Sequence, residues 1–198
     1  MRTNAAVSAA AAVVSFLALA TAAAAAGEEG AGKSAPKADA KASFEIVAKV
    51  LLSPRCRNCH PAGDRPLQFD EGRPHAQEVG RRASKLGLEC SACHQQAPLA
   101  APVAGPGVPP GAPNWGLPPE KTPMVFEGRT AAQLCRQLKD PAQTGGKDLA
   151  ALLHHIEKDE LVGWGWHPGE GRTPVSIPRE ELVAAFRAWM DGGAVCPD

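Results

Sequence analysis

Two short runs carry the chemistry of this chain: Cys56-Arg57-Asn58-Cys59-His60 and Cys90-Ser91-Ala92-Cys93-His94. Each reads C-x-x-C-H, the spacing at which a c-type haem is attached. Two thiols three positions apart reach the two vinyl groups on one edge of a porphyrin. The histidine that follows is then held beneath the ring, where one of its nitrogens can bind iron. The runs predict two covalently bound haem c groups, with thioethers at Cys56, Cys59, Cys90 and Cys93 and proximal iron ligands at His60 and His94.

Two other chemistries use paired cysteines. Four thiolates complete a closed zinc site, and a C-x-x-C pair can act as a dithiol redox centre. Neither needs a histidine directly after the second cysteine. Histidine is 6 of 198 residues, so chance would place it after both pairs in roughly one sequence in a thousand. A dithiol centre of the thioredoxin type also sits in a strand-helix-strand context, and no such alternation flanks these runs. The residue after each pair therefore favours haem.

The start of the chain points to export. Arg2 is followed by a run from Ala5 to Ala26 of mostly Ala, Val, Leu and Ser, ending Ala24-Ala25-Ala26 before polar Gly27-Glu28-Glu29. This is the pattern of a signal peptide cut after Ala26, and it predicts a periplasmic protein. No later stretch is long and apolar enough to span a bilayer. Export suits haem c and disfavours free zinc thiolates, because exported thiols oxidise. With four cysteines assigned to haem, Cys135 and Cys196 remain, and the compartment predicts a disulfide between them.

Residues 1–26 are thus read as signal peptide, 27–41 as a flexible Ala/Gly/Lys/Glu lead, and 42–198 as one small domain. Net charge is +0 with the histidines neutral, so neither nucleic acid nor an anionic membrane surface is implied as a partner. Glycine and proline are abundant and tyrosine is absent. Such a chain builds a modest core, which two porphyrins would enlarge.

The elements that must position the motifs read as mainly α. Ser43 is a candidate N-cap for a helix carrying Phe44, Val47, Val50 and Leu51 on one face, ended by Pro54 and expected to pack on the first porphyrin. Pro61 to Glu89 is a punctuated loop followed by a His75–Leu86 segment, helical but interrupted at Gly80. Arg65, Arg73, Arg81 and Arg82 concentrate charge there, and a guanidinium among them matches the carboxylates of a haem. From Ala97 to Pro123 nine prolines and four glycines make a long extended loop, expected to cover the second haem.

Thr130-Ala131-Ala132-Gln133 then has the form of a capping box, opening a helix to Leu138 that Pro141 closes. Lys147–Val162 has Leu149, Leu152, Leu153 and Ile156 at helical spacing, and Gly163–Gly169 makes an aromatic turn. A last helix over Pro178–Met190 buries Leu182, Ala185, Phe186 and Trp189.

Each iron needs a sixth ligand or keeps a site open for chemistry. The candidates are His75, His154, His155, His167 and Met124. His154 and His155 are adjacent on a helix, so only one of them faces a given porphyrin. His167 lies in the aromatic turn, and Met124 ends the Pro-rich loop. The reading selects His75 and His155, with His154, Met124 and His167 as weaker alternatives, and leaves open which haem each one serves.

A longer pattern carries a resemblance. Cys56–Asp64, Pro113-Asn114-Trp115, Pro123-Met124-Val125-Phe126-Glu127-Gly128, Leu134–Pro141 and Trp164-Gly165-Trp166 resemble a group of bacterial periplasmic c-type cytochromes often labelled as isoquinoline 1-oxidoreductase subunits. The resemblance spans nearly all of the chain after the signal peptide. It implies a small dihaem domain like cytochrome c with long Pro-rich loops, and redox protein partners, among them a periplasmic molybdenum hydroxylase. The chain has no molybdopterin signature, and its remaining two cysteines cannot hold a four-cysteine iron–sulfur cluster. The expected activity is single-electron transfer between a dehydrogenase and a respiratory acceptor, without catalysis of its own. The alternative is a dihaem peroxidase with one open haem.

Overall fold

The computed structural model describes residues 37–99, 105 and 107–198. The expected signal peptide and most of the expected flexible lead lie outside them. Among the described residues the regular structure is helical, apart from one pair of two-residue strands. The mainly α class follows, and no described helix is long and apolar enough to cross a membrane.

Helix α1 spans Lys37–Leu51. It begins well before Ser43, inside the stretch read as flexible. Alanine and lysine are strong helix formers, and Ala40 is fully buried, so packing holds the added turn. Phe44, Val47, Val50 and Leu51 are buried on one face, as their spacing predicts. That face packs on the last helix, α7 (Arg179–Asp191), and on α4 (Ala131–Leu138), rather than on a porphyrin. Phe44 meets Trp189 at 4.7 Å between ring centres, and Phe186 meets Trp189 edge-on at 5.2 Å. Protein alone already covers Phe44, Phe186 and Trp189. Burying each such side chain stabilises the fold by about 1.5–3 kcal/mol.

Helix α4 starts where the capping box places it. Gln133 N donates to Thr130 Oγ1 at 3.2 Å and Thr130 N to Gln133 Oε1 at 2.9 Å, satisfying two otherwise unpaired helix donors. Its Cys135 lies at disulfide distance from Cys196, with Cα atoms 5.5 Å apart. Trp189 Nε1 donates to Val195 O at 3.0 Å and Lys139 Nζ to Ala194 O at 2.8 Å, so the C-terminal tail is held at several points.

The segment read as one helix over 147–162 is two: α5 (Leu149–Lys158) and α6 (Glu160–Gly163). Asp159 separates them in an extended conformation and caps α6, its carboxylate accepting from Leu161 N and Val162 N at 2.8 and 3.2 Å. Capping by Asp competes with continued helix at this position. Arg179, at the start of α7, donates to Ile156 O and Asp159 O, each at 2.8 Å. A guanidinium on the last carbonyls of a helix satisfies acceptors that have no partner within it.

Between α1 and α4 lies the irregular half. Pro54 does not merely end α1; it opens a short helix α2 (Pro54–Arg57) at its first position, where a missing N–H costs nothing. Strands β1 (Leu67–Gln68) and β2 (Arg73–Pro74) pair antiparallel, Leu67 against Pro74. A 3-10 turn at Ala76–Glu78 and helix α3 (Arg81–Lys85) follow, divided at Gly80.

Candidate functional site

The two C-x-x-C-H runs share one backbone bond, from the second cysteine to the carbonyl of the first. In the first, which begins in α2, Cys59 N donates to Cys56 O at 3.2 Å and His60 N to Arg57 O at 3.0 Å. In the second, a 3-10 turn over Cys90–Ala92, Cys93 N and His94 N both donate to Cys90 O, at 3.2 and 2.9 Å. Cys56, Cys59, Cys90 and Cys93 are all free thiols, while Cys135 and Cys196 are joined.

Each motif histidine is held in one way by a distant loop. His60 Nδ1 bonds the carbonyl of Met124 at 2.8 Å, and its ring stacks on Phe126 with centres 3.9 Å apart and planes 15° apart. Its own carbonyl accepts from Phe126 N and Glu127 N at 2.9 and 3.2 Å. His94 Nδ1 bonds the carbonyl of Pro110 at 2.7 Å, and its ring stacks on Trp115 with centres 4.5 Å apart and planes 6° apart. A carbonyl only accepts, so Nδ1 carries the proton in both rings and Nε2 keeps its lone pair. Such a second bond orients a metal-ligating imidazole and fixes its tautomer.

Burial pushes the His60 imidazole down to about 4, the His155 and Arg81 charges act the same way, and the Met124 carbonyl opposes them. Burial also lowers His94, with His75 and Arg172 adding to it against the Pro110 carbonyl. Both rings are therefore neutral at neutral pH, the form that binds metal.

The Pro-rich loop supplies this support to both motifs. Met124 has φ 46°, a left-handed conformation costly for a side chain of its kind, at the residue whose carbonyl meets His60. At the other end of the loop, a Cβ on Gly111 would lie 2.1 Å from Ala97 O and 2.7 Å from Gln95 O. Only glycine lets the loop close this tightly behind His94. Arg172 Nη2 ties the same loop through Gly105 O at 3.2 Å and through Val108 O. Trp115 meets the edge of Trp164 at 5.0 Å, and Trp164 lies 5.8 Å from the guanidinium of Arg55. Arg55 is buried beside Cys56 and paired with Asp70.

The five candidates for distal ligands fall in different places. His75 follows β2 directly, its N bonded to Pro66 O at 2.8 Å, and its ring centre lies 6.2 Å from that of His94. Its Nδ1 bonds Ala76 O, and its own carbonyl accepts from Arg65. His155 lies on α5, close enough to His60 for its charge to oppose protonation there. Its Nδ1 is 3.2 Å from Asp159 Oδ2. His154 and His167 are exposed. Met124 meets His60 through its backbone on the Nδ1 side, the far side of the ring from Nε2.

The thiols of the first motif are unlike those of a reactive dithiol. Burial pushes Cys56 up to about 11 and Cys59 up to about 12, whereas a nucleophilic cysteine needs a lowered value. A charge on Cys90 would push Cys59 up further. Among the described residues, no three His, Cys, Asp or Glu side chains gather into a group that could hold a metal ion. A four-thiolate zinc site would need such a group. A porphyrin brings its own four donors and would ask only for further ligands from the chain.

Sequence reasoning missed Phe126 and the carbonyls of Met124 and Pro110. A carbonyl leaves no mark in a sequence, and an aromatic residue in a loop does not announce its partner. Comparison with protein-family models, curated proteins and solved structures finds no match.

Proposed function

We propose that the chain is a dihaem c-type cytochrome that carries single electrons. The observation that supports it best is shared by four histidines. His60, His94, His75 and His155 each have Nδ1 engaged by a backbone carbonyl or a carboxylate, which leaves Nε2 of each for iron. Two of them belong to C-x-x-C-H runs with free thiols. His75 lies beside His94, and a charge on His155 would oppose protonation of His60.

On this reading Cys56, Cys59 and His60 would hold one haem, with His155 as the candidate for a further ligand. Cys90, Cys93 and His94 would hold the other, with His75 as the candidate. The His75 and His94 rings, with centres 6.2 Å apart, would both be at hand for the second haem. Each haem supplies a one-electron iron couple, and two imidazoles per iron leave no open position for substrate. The protein's part is to orient the imidazoles, exclude water from the first centre and set the potentials.

The two centres differ in access. His60 of the first motif is covered by the 124–127 segment, with its ring on Phe126 and its Nδ1 on the Met124 carbonyl. Cys93 of the second is exposed, and Leu86, Leu88 and Leu99, close to it in sequence, are 88, 48 and 41 % exposed. We assign the second centre as the port facing a redox partner, a dehydrogenase of the molybdenum hydroxylase type being the one implied by the resemblance.

The test is expression in a periplasm equipped to attach haem c. The expected product carries the added mass of two haems, gives a low-spin spectrum, and does not change with carbon monoxide. A mass equal to the polypeptide alone overturns the proposal. Carbon monoxide binding by the wild type would favour the peroxidase-type alternative.

A further inference from the structure

Four arginines crowd the segment between the motifs, and the structure separates them. Arg73 has a side chain 69 % exposed and lies over Phe69. Arg82 is exposed. Arg65 is engaged with the carbonyl of His75, lies 3.9 Å from Glu78 and has its Nε buried without a partner. Arg81 differs in which atom is left over: Nε and Nη1 are both held, and it is the terminal Nη2 that is unpartnered. Nε donates to Pro118 O and Nη1 to Gly63 O, each at 2.8 Å, while Nη2 is buried without a hydrogen-bond partner.

The fold makes this placement deliberate in the physical sense. Arg81 is the first residue of α3, and its backbone N donates to Asp64 O at 3.2 Å. The preceding residue, Gly80, is pressed against the same segment: a Cβ there would lie 2.6 Å from Asp64 Oδ2 and 2.7 Å from Asp64 O. Glycine is what allows the start of α3 to sit on the turn that follows the first motif. The guanidinium therefore reaches Gly63, three residues past His60, from one side and the Pro-rich loop from the other. Its charge is felt at His60. Burial disfavours that charge, and Asp64 and Glu120 nearby favour it. Glu120 is itself taken by Lys85.

A buried guanidinium nitrogen left without an acceptor is costly, more so because the group is charged. An acceptor that arrives with a ligand removes that cost. Haem c has two free carboxylates on the edge away from its vinyl groups, and a guanidinium pairs with a carboxylate through short charge-assisted bonds. Building on the dihaem reading, we infer that Arg81 Nη2 holds a propionate of the haem attached at Cys56 and Cys59. Arg81 then does two things. It anchors the edge of the porphyrin opposite the thioethers, and it places a fixed positive charge near one iron.

The test uses the holoprotein in three forms: wild type, Arg81→Gln and Arg82→Gln, with Arg81→Lys beside them. Mass first establishes that two haems are attached; their absence from the wild type would end the dihaem reading and not this inference alone. With both present, the midpoint potentials and the propionate bending bands in resonance Raman are compared. In Arg81→Gln, one haem loses the hydrogen-bonded propionate band and its potential falls. A unit charge removed from about 10 Å at an effective dielectric near 20 changes the reduced-to-oxidised ratio by roughly tenfold.

The other haem and the Arg82→Gln protein are unchanged. Arg81→Lys restores most of the potential and part of the band, since lysine keeps the charge and loses the fixed planar fork. If Arg81→Gln does not fold, the wild-type and Arg81→Lys bands decide. A propionate band in the wild type at the position of a free carboxylate for both haems, or one unmoved by any Arg81 substitution, overturns the inference.

Discussion

The rings of His75 and His94 lie with centres 6.2 Å apart and planes inclined by 55°. One belongs to the second motif and the other follows the small hairpin of β1 and β2, and no local pattern joins them. Each has its Nδ1 bonded to a backbone carbonyl, which leaves Nε2 of each ring clear of that bond. On the proposed reading, two imidazoles at this spacing beside two free thiols would serve one haem.

His75→Ala is therefore expected to convert one haem from low spin to high spin. EPR should lose one of two low-spin signals, and carbon monoxide should bind one haem per chain. Retention of both low-spin signals would refute the pairing of His75 with His94.

The first centre should respond to His155→Ala in the same way, with the other haem affected. Asp159 offers a finer probe because it both faces His155 and caps α6. Asp159→Asn keeps a good cap and removes the charge, so thermal stability should hold while the potential of one haem rises. Asp159→Ala removes both and should cost about 1 kcal/mol of stability in addition. Equal potentials in all three proteins would argue against His155 as a ligand.

Gly111→Ala places a carbon where Ala97 O already lies, so the Pro-rich loop must move away from His94. We expect a loss of about 1–3 kcal/mol, measured by chemical denaturation. The spectral change should be confined to the second haem, whose proximal imidazole loses its Pro110 partner. A change at the first haem instead would mean that the loop serves the two motifs differently.

The Cys135–Cys196 link closes a loop of 61 residues, and the loop-entropy model gives about 4 kcal/mol for a ring of that size. Replacing both cysteines by serine should lower stability by that order, read from urea denaturation. Haem content should stay at two per chain, since neither cysteine lies in a motif. Loss of a haem in this variant would contradict the assignment of the thiols.

Much of the helical frame was written locally. The Thr130–Gln133 box determined where α4 begins, and the 3.6-residue spacing of Leu182, Ala185, Phe186 and Trp189 determined which face of α7 is buried. Torsional preference and capping act within a turn or two of chain, so residue types reveal them. The two C-x-x-C-H runs and the pair of cysteines outside them were equally visible, being properties of composition and spacing.

Contacts between distant segments were not visible. The face of α1 met α7 and not a porphyrin, because Trp189 and Phe186 covered it first. His60 found the Met124 carbonyl 64 residues away, His94 found Pro110 sixteen away, and Arg81 was left with a terminal nitrogen unpaired. Those outcomes depend on how helices and a proline-stiffened loop pack in three dimensions. Backbone carbonyls are common to every residue, so only the tertiary structure decided which of them would orient an imidazole.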